Sequence, residues 1–343
     1  MTRRDVVVIG ASSGGLQALQ TLVGGLPAGF PAAVFIVLHV SPHHESILPL
    51  LLSKAGPLPA SHALDREPVT AGRVYVAPPG HHLVLEPGHV RLTRGPRENR
   101  VRPAIDPLFR SAAYAFGARV VGVILTGALD DGTAGLWAIK DRGGVAVVQD
   151  PAEAEVPSMP QSALRYVEVD YCLEVARIAP ALARLAGEGV EEKGGAPVSE
   201  ELGIERRIAL GERALEAEVL RLGEPSPFTC PECHGSLVRL RGGGPVRFRC
   251  HTGHAYTLGS LLEEVVEGTE DALWGALRAV QEKELLLAHM ARHAREAGEL
   301  ELAEALRLHA HAAQQQADLV RRAVLSHETS APAAGLSPGR EEG

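Results

Sequence analysis

Lysine is nearly absent from this chain: Lys54, Lys140, Lys193 and Lys283 are the only lysines among its 34 basic residues. Acidic residues number 42, and the net charge is -8 at pH 7. A general nucleic-acid binder carries a basic surface, so that class is excluded. Long apolar runs are missing too. No stretch approaches the roughly 18 residues needed to cross a bilayer, which excludes membrane insertion. Aromatic residues make up 4% against 45% hydrophobic, so the core has to be built from aliphatic side chains. Four cysteines in 343 residues cannot form a disulfide scaffold, and three of them stand at metal-site spacing. Only five residues precede the first apolar run, which is expected to leave no room for a signal peptide. The expectation is a cytoplasmic protein of two or three units.

The chain is organised around its first turn. Val6–Ile9 runs into Gly10-Ala11-Ser12-Ser13-Gly14-Gly15, followed by Leu16, Leu19 and Leu22 at helical spacing. This predicts a strand, a tight glycine turn and a helix start, with Ser12 central to a Gly-x-Ser-x-Gly nucleophile-elbow pattern. The same turn also fits a phosphate-cradling loop. Further runs at Ala33–His39, Arg119–Thr126 and Val145–Val148 alternate with helical patterns over Ser46–Lys54 and Thr133–Asp141. That alternation predicts a doubly wound, mostly parallel α/β sheet. Val74–Gly80, His82–Leu85 and His89–Leu92 are expected to form short strands joined by turns, an antiparallel insertion or edge.

Sites in such sheets form beyond the carboxyl ends of strands. There the sequence offers Ser12, His39 and Asp131: a hydroxyl, an imidazole and a carboxylate, the inventory of nucleophile, base and orienter. A dehydrogenase reading of the glycine turn fails. No tyrosine has a lysine four places on, and His39 stands where an acidic ribose ligand would be expected.

Residues 5–186 resemble the catalytic domain of the chemotaxis receptor methylesterases (CheB-type). The resemblance rests on Ile9–Gly15, Leu38-His39-Val40, Val74–Pro78, Asn99–Asp106, Gly122–Gly127 through Asp131-Gly132, and Met159-Pro160. It implies hydrolysis of glutamyl methyl esters on receptor helices, often with deamidation of glutamine, and no cofactor for catalysis. It also implies Ser12 as nucleophile, His39 as base and Asp131 as its orienter. The backbone N–H near Ala128 would be the oxyanion donor, assisted by Ser13, and Arg100 and Arg102 would attract acidic receptor helices. Leu38 departs from the glutamine more often found before the histidine. With four residues ahead of the region of resemblance, an N-terminal receiver domain is not expected.

The remainder divides into a linker at 188–200, a helix with a metal module over 201–260, a helical hairpin over 261–328 and a disordered tail over 329–343. Cys230-Pro-Glu-Cys233 and Cys250-His-Thr-Gly-His254, sixteen residues apart, predict a zinc ribbon. Its ligands would be Cys230, Cys233, Cys250 and His254, the last favoured over His251 and His234 because Gly253 permits the turn. Four protein ligands make such zinc structural. Leu273, Leu277, Val280, Leu287, Met290 and Ala294 form one apolar stripe, and Leu302, Leu306, Ala310, Ala313, Ala317, Val320 and Val324 another. Expected partners are methylated chemoreceptor helices, a receptor methyltransferase or sensor kinase, and a second copy through the C-terminal helices. The alternative is a catalytically weak adaptor that uses the esterase fold and the tail as a protein-binding platform.

Overall fold

A two-residue strand, β1 (Thr2–Arg3), leads into β2 (Val6–Ala11), every residue of which is buried. Burial on both faces is why β2 reads as an unbroken apolar run rather than an alternation. In the computed structural model the described residues are 2–41, 46–190, 198–212 and 216–330. From β2 the chain passes through α1 (Gly15–Gly24), β3 (Ala33–Leu38), α2 (Leu48–Ala55), β4 (Ala60–His62) and β5 (Val74–Val76). A hairpin of β6 (His82–Glu86) and β7 (His89–Thr93) precedes α3 (Ile105–Phe116). Then come β8 (Val120–Ile124), α4 (Thr133–Asp141), β9 (Val145–Gln149), α5 (Ser158–Tyr166), β10 (Tyr171–Leu173) and α6 (Val175–Gly187).

Seven strands form one sheet in the order β10-β9-β8-β2-β3-β5-β4, and every pairing in it is parallel. One strand expectation needs correction. Val74–Val76 belongs to this parallel sheet, paired with β3 and β4, and of the three expected insertion strands it is the other two, β6 and β7, that pair antiparallel. The two faces carry separate cores. Val7 and Ile9 pack with Leu19 and Leu22 of α1 and Ile178 and Leu182 of α6. Val6 and Val8 pack with Leu108 and Phe109 of α3 and Leu136 and Ile139 of α4. Successive β2 side chains point to opposite faces, so the single strand anchors both layers.

After α6, β11 (Gly189–Val190) pairs antiparallel with β1. Of the linker expected at 188–200, residues 191–197 lie outside the described residues, and of the disordered tail expected at 329–343, residues 331–343 do. α7 (Glu200–Ala209) is capped by Ser199, whose Oγ accepts from Leu202 N, and it ends before Gly211 at φ 75°. α8 (Glu216–Arg221) follows, so the helical pattern from Ile204 to Leu222 is two helices.

Next is an antiparallel meander of β12 (Gly223–Thr229), β13 (Ser236–Leu240), β14 (Arg247–Cys250) and β15 (Ala255–Thr257). Its core is small: Leu237, Phe248, Tyr256 and Leu261 around Cys230 and Cys250. The meander and the parallel sheet belong to one compact unit, Met1–Leu261.

The second unit, Leu262–Gly343, contains most of α9 (Leu258–Glu296) and all of α10 (Leu300–Ser330). Among the described residues its buried apolar positions are Leu277 and Ala294 on α9, and Ala303, Ala310, Ala313, Ala317 and Val324 on α10, the latter recurring three, four or seven residues apart. Met290 and Leu302, expected on those stripes, are exposed. Gly298, at φ 81°, lies between the two helices.

Candidate active site and metal centre

The turn after β2 makes its reversal at Gly14, which has φ 74° and stands at the N-cap of α1. Ser12 is not among the residues at positive φ, so the nucleophile-elbow sequence is present without a strained serine. Ser12 N–H is held by Thr126 O at 3.0 Å, which ties the ends of β2 and β8 together. Close approach here requires glycine. A Cβ on Gly127 would lie 2.1 Å from Met159 Sδ and 2.7 Å from Ser12 Cβ.

The three strand-end side chains converge. His39 Nδ1 lies 3.1 Å from Ser12 Oγ, and His39 Nε2 lies 2.8 Å from Asp131 Oδ2. With the carboxylate accepting from Nε2–H, Nδ1 is free to take the hydroxyl proton. This ring orientation is the reverse of that in the chymotrypsin-type triad. Asp131 is 3% exposed and accepts further from Ile105 N at 2.6 Å and Asn99 Nδ2 at 2.9 Å. Burial pushes its pKa up, but His39, the Ile105 N–H and Asn99 outweigh that and hold the carboxyl below its ordinary value. A carboxylate kept ionised in this way can stabilise an imidazolium beside it.

The other predicted site residues fall around this relay. Among the described residues, the backbone N–H groups of Ser13 and Ala128 have no hydrogen-bond acceptor, and both residues are exposed beside the hydroxyl's turn. Arg102 is turned inward, with Nη1 donating to Gly95 O at 2.7 Å and Arg94 O at 3.2 Å. Arg100 is in the left-handed region, at φ 72°. An open cleft of about 490 Å³ is lined by Ser12, His39, Leu38, Gln17, Gln20 and Glu155, among others.

Three residues missed in the sequence support the relay. Buried His82 accepts from Ala104 N at 3.2 Å through Nδ1 and donates to Pro96 O at 2.9 Å through Nε2. It pins both ends of the loop that carries Asn99, and burial lowers its pKa, keeping it neutral. Asp106 accepts from Gly135 N at 2.6 Å and from Asn99 Nδ2 at 3.2 Å. Burial and the adjacent Asp131 push its pKa up to about 7. The local signal for Asn99 was its residue type alone, since asparagine tolerates positive φ better than most, whereas nothing marks Arg100 for it.

Asp106 yields a pH prediction. Folded Asp106 keeps its proton to about pH 7, whereas an unfolded one loses it near 3.8. Its contribution to stability is therefore full below 3.8 and lost as the pH rises through about 7. Asp130, raised to about 6 by burial, acts in the same direction. Urea unfolding between pH 5 and 8 is expected to show stability falling as pH rises, with a shallower slope in Asp106→Asn.

In the second constellation, the ligand atoms of Cys230, Cys233, Cys250 and His254 all lie within 4.8 Å of one another. Cys233 Sγ is 3.6 Å from Cys250 Sγ, and His254 Nδ1 is 3.6 Å from the sulfurs of both Cys230 and Cys250. Edges of that length suit a tetrahedron around an ion with metal–sulfur bonds of about 2.3 Å. Cys230 N–H to Gly235 O and Cys250 N–H to His254 O close the two turns, and Gly253 takes φ 100°. His254 Nε2 lies 3.3 Å from Glu232, a carboxylate that orients the ring and was not singled out in the sequence.

Residues 7–182 match the CheB methylesterase family. The chain belongs to that family. A protein of Leptospira interrogans, named as a protein-glutamate methylesterase/protein-glutamine glutaminase, is 39% identical over 190 residues, covering 55% of this chain and 98% of that protein. Protein-glutamate methylesterase/protein-glutamine glutaminase 2 of Anaeromyxobacter dehalogenans is 43% identical over 183 residues, and this chain spans about half of its length, 54%. The crystal structure of the Thermotoga maritima CheB methylesterase catalytic domain superposes with a TM-score of 0.52 at 33% identity. It covers 54% of this chain and 100% of that one. The CheB match thus ends before the cysteine module, which lies outside residues 7–182.

Proposed function

We propose that this chain is a serine carboxylic ester hydrolase that removes methyl groups from glutamyl methyl esters of chemoreceptors or related signalling proteins, and deamidates glutamines there. The observation that carries this reading is the relay of 3.1 and 2.8 Å from Ser12 through His39 to Asp131. Ser12 Oγ attacks the γ-carbonyl carbon while His39 Nδ1 takes its proton. The N–H groups of Ala128 and Ser13 receive the oxyanion. Collapse of the intermediate expels the methoxy group, which leaves as methanol with the proton from His39. Water, deprotonated by the same imidazole, then attacks the acyl-enzyme to release glutamate and regenerate Ser12. An amide substrate follows the same steps and releases ammonia. An open cleft suits a side chain presented on a helix surface. The adaptor alternative needs none of these alignments, and no feature of the site favours it.

Release of methanol from methylated receptor fragments is expected to fall at least about a thousandfold in Ser12→Ala. Equal release from wild type and variant would reject the reading.

The cysteine cluster is read as a structural zinc site, because the protein supplies all four ligands and leaves no open position. Metal analysis of protein purified without chelator is expected to find about one zinc per chain. Less than half of that would refute the assignment. Among the described residues no helix is long and apolar enough to cross a membrane. A cytoplasmic location fits a substrate on receptor helices. A receptor methyltransferase or sensor kinase, and a second copy docked through the C-terminal helices, complete the proposed partners.

A further inference from the structure

Asn99 sits at the tip of a tight reversal in which Glu98 and Val101 exchange backbone hydrogen bonds of 3.0 and 3.3 Å. Asn99 and Arg100 take φ 49° and 72°, a conformation asparagine tolerates better than most residues. The side chain is nearly buried, and all four of its hydrogen-bonding positions are used. Its Nδ2 donates to Asp131 at 2.9 Å and to Asp106 at 3.2 Å. Its Oδ1 accepts from Thr257 N and from Ser260 Oγ, each at 3.1 Å. Two carboxylates on one side and two donors on the other leave a single sense for the amide. One end of Asn99 therefore belongs to the esterase site and the other to the cysteine module.

The module end is firmly set. Thr257 lies three residues beyond His254 and caps α9, exchanging hydrogen bonds with Ser260 in both directions. Its hydroxyl also donates to Asp130, the neighbour of the relay carboxylate, at 2.7 Å. Backbone pairing adds a second tie, with Asn99 N donating to Ala255 O at 2.8 Å. A third tie runs through Arg249, adjacent to Cys250, which donates to Gly253 O inside the ligand turn and to Glu98. The turn that brings Cys250 and His254 together thus continues directly into the backbone that holds Asn99.

We propose that the cysteine–histidine module, when its metal is bound, is a positioning device for the esterase relay, and that Asn99 is the positioning residue joining them. The inference rests on the esterase reading above. Metal at Cys230, Cys233, Cys250 and His254 fixes the turn from Cys250 to His254 and hence Ala255–Thr257. That fixes Asn99, and Asn99 fixes the plane of the Asp131 carboxylate that aims His39 at Ser12. Supporting partners of this kind are worth about ten- to a hundredfold when removed.

The test uses the full chain, with p-nitrophenyl acetate as a small activated ester that asks only for the relay and not for receptor docking. It also uses the downfield proton NMR signal of His39 Nε2–H. Asn99→Ala is expected to lower kcat about ten- to a hundredfold, to leave KM nearly unchanged, and to shift or broaden that signal. Ser260→Ala, which loosens Asn99 from the module side alone, is expected to move the same two readouts by a smaller amount. Stripping metal with a chelator and reductant is expected to reproduce the Asn99→Ala signature, and added zinc to reverse it in wild type but not in Asn99→Ala. If Asn99→Ala fails to fold, Ser260→Ala carries the test. Wild-type kcat and an unshifted proton in Ser260→Ala and in metal-stripped protein overturn the proposal. The NMR signal can be read without turnover, so failure of the Ser12 esterase reading would be distinguishable from failure of this link.

Discussion

Gly127→Ala is expected to abolish ester hydrolysis while leaving a chain that still folds. The added carbon would sit 2.1 Å from Met159 Sδ and 2.7 Å from Ser12 Cβ, both far inside contact distance. Met159 is fully buried, and a methionine end can move, but Ser12 Cβ is fixed by the backbone of the β2–α1 turn. Gly127 is itself held from both sides, donating to Val156 O and accepting from Met159 N. The overlap is therefore relieved by driving the β8–α4 loop away from Ser12, at a cost of about 1–3 kcal/mol in stability. That loop carries the Ala128 N–H assigned to the oxyanion. A displacement of even about 1 Å removes a donor worth ~10²–10³ in kcat and misaligns the hydroxyl as well. The expected signature is a modest fall in urea midpoint with loss of p-nitrophenyl acetate turnover of about a thousandfold or more. Retained turnover would show that the close approach of Gly127 to Ser12 is irrelevant to the reaction.

What the sequence made legible was what is local or repeated. Val6–Ala11 announces a strand buried on both sides, and the glycines after it announce the turn that Gly14 makes. Strand-end residues could be read as neighbours because parallel strands put all their carboxyl ends on one edge. Ser12, His39 and Asp131 came together by that rule. The shortest strands escaped it. Ala60–His62 and Tyr171–Leu173 are three residues each, too short to show a period, and become strands only because β5 and β9 offer them an edge. Val74–Gly80 stands next to a hairpin in sequence, and nothing local in it tells the parallel partners that Val74–Val76 takes from an antiparallel one. Asn99 marks the deeper limit. Its turn conformation is local, but its role depends on Asp131, 32 residues away, and on Thr257, 158 residues away. No spacing rule joins positions so far apart. The cysteine–histidine cluster lies at the other extreme, because Cys230 and Cys233 share one short turn and Cys250 and His254 another, a closeness written directly into the sequence.

Glu205→Gln is expected to destabilise the first unit by about 3–5 kcal/mol, the usual cost of removing one partner from a buried ion pair. Glu205 is 4% exposed and stands among three guanidinium groups. Arg247 Nη1 is 2.7 Å from it, Arg249 Nη2 3.0 Å and Arg110 Nε 3.8 Å. Glu98 and Asp106 complete the cluster through Arg110, so three acids face three bases in a region closed to water. Burial pushes the Glu205 pKa up, but Arg247, Arg110 and Arg249 outweigh it and hold the carboxyl far below its ordinary 4.5. A glutamine of the same shape would leave the arginines buried with one counter-charge fewer. The wild-type advantage is present above pH 4.5 and is lost as the pH falls from there toward the depressed folded value, so the two urea midpoints should converge in acid. Replacing Arg247 with methionine in the same chain is expected to recover part of the loss, because the pair is removed together and not broken. Arg247 and Arg249 lie on β14 of the module, Glu205 on α7, and Glu98 and Arg110 beside the relay. A charge change at Glu205 should therefore weaken the seating of the module against the sheet before it disturbs the sheet itself. Hydrogen exchange is expected to rise first at Ala255–Thr257 and only later in β2 and β8, and a uniform rise across both would contradict this order of release.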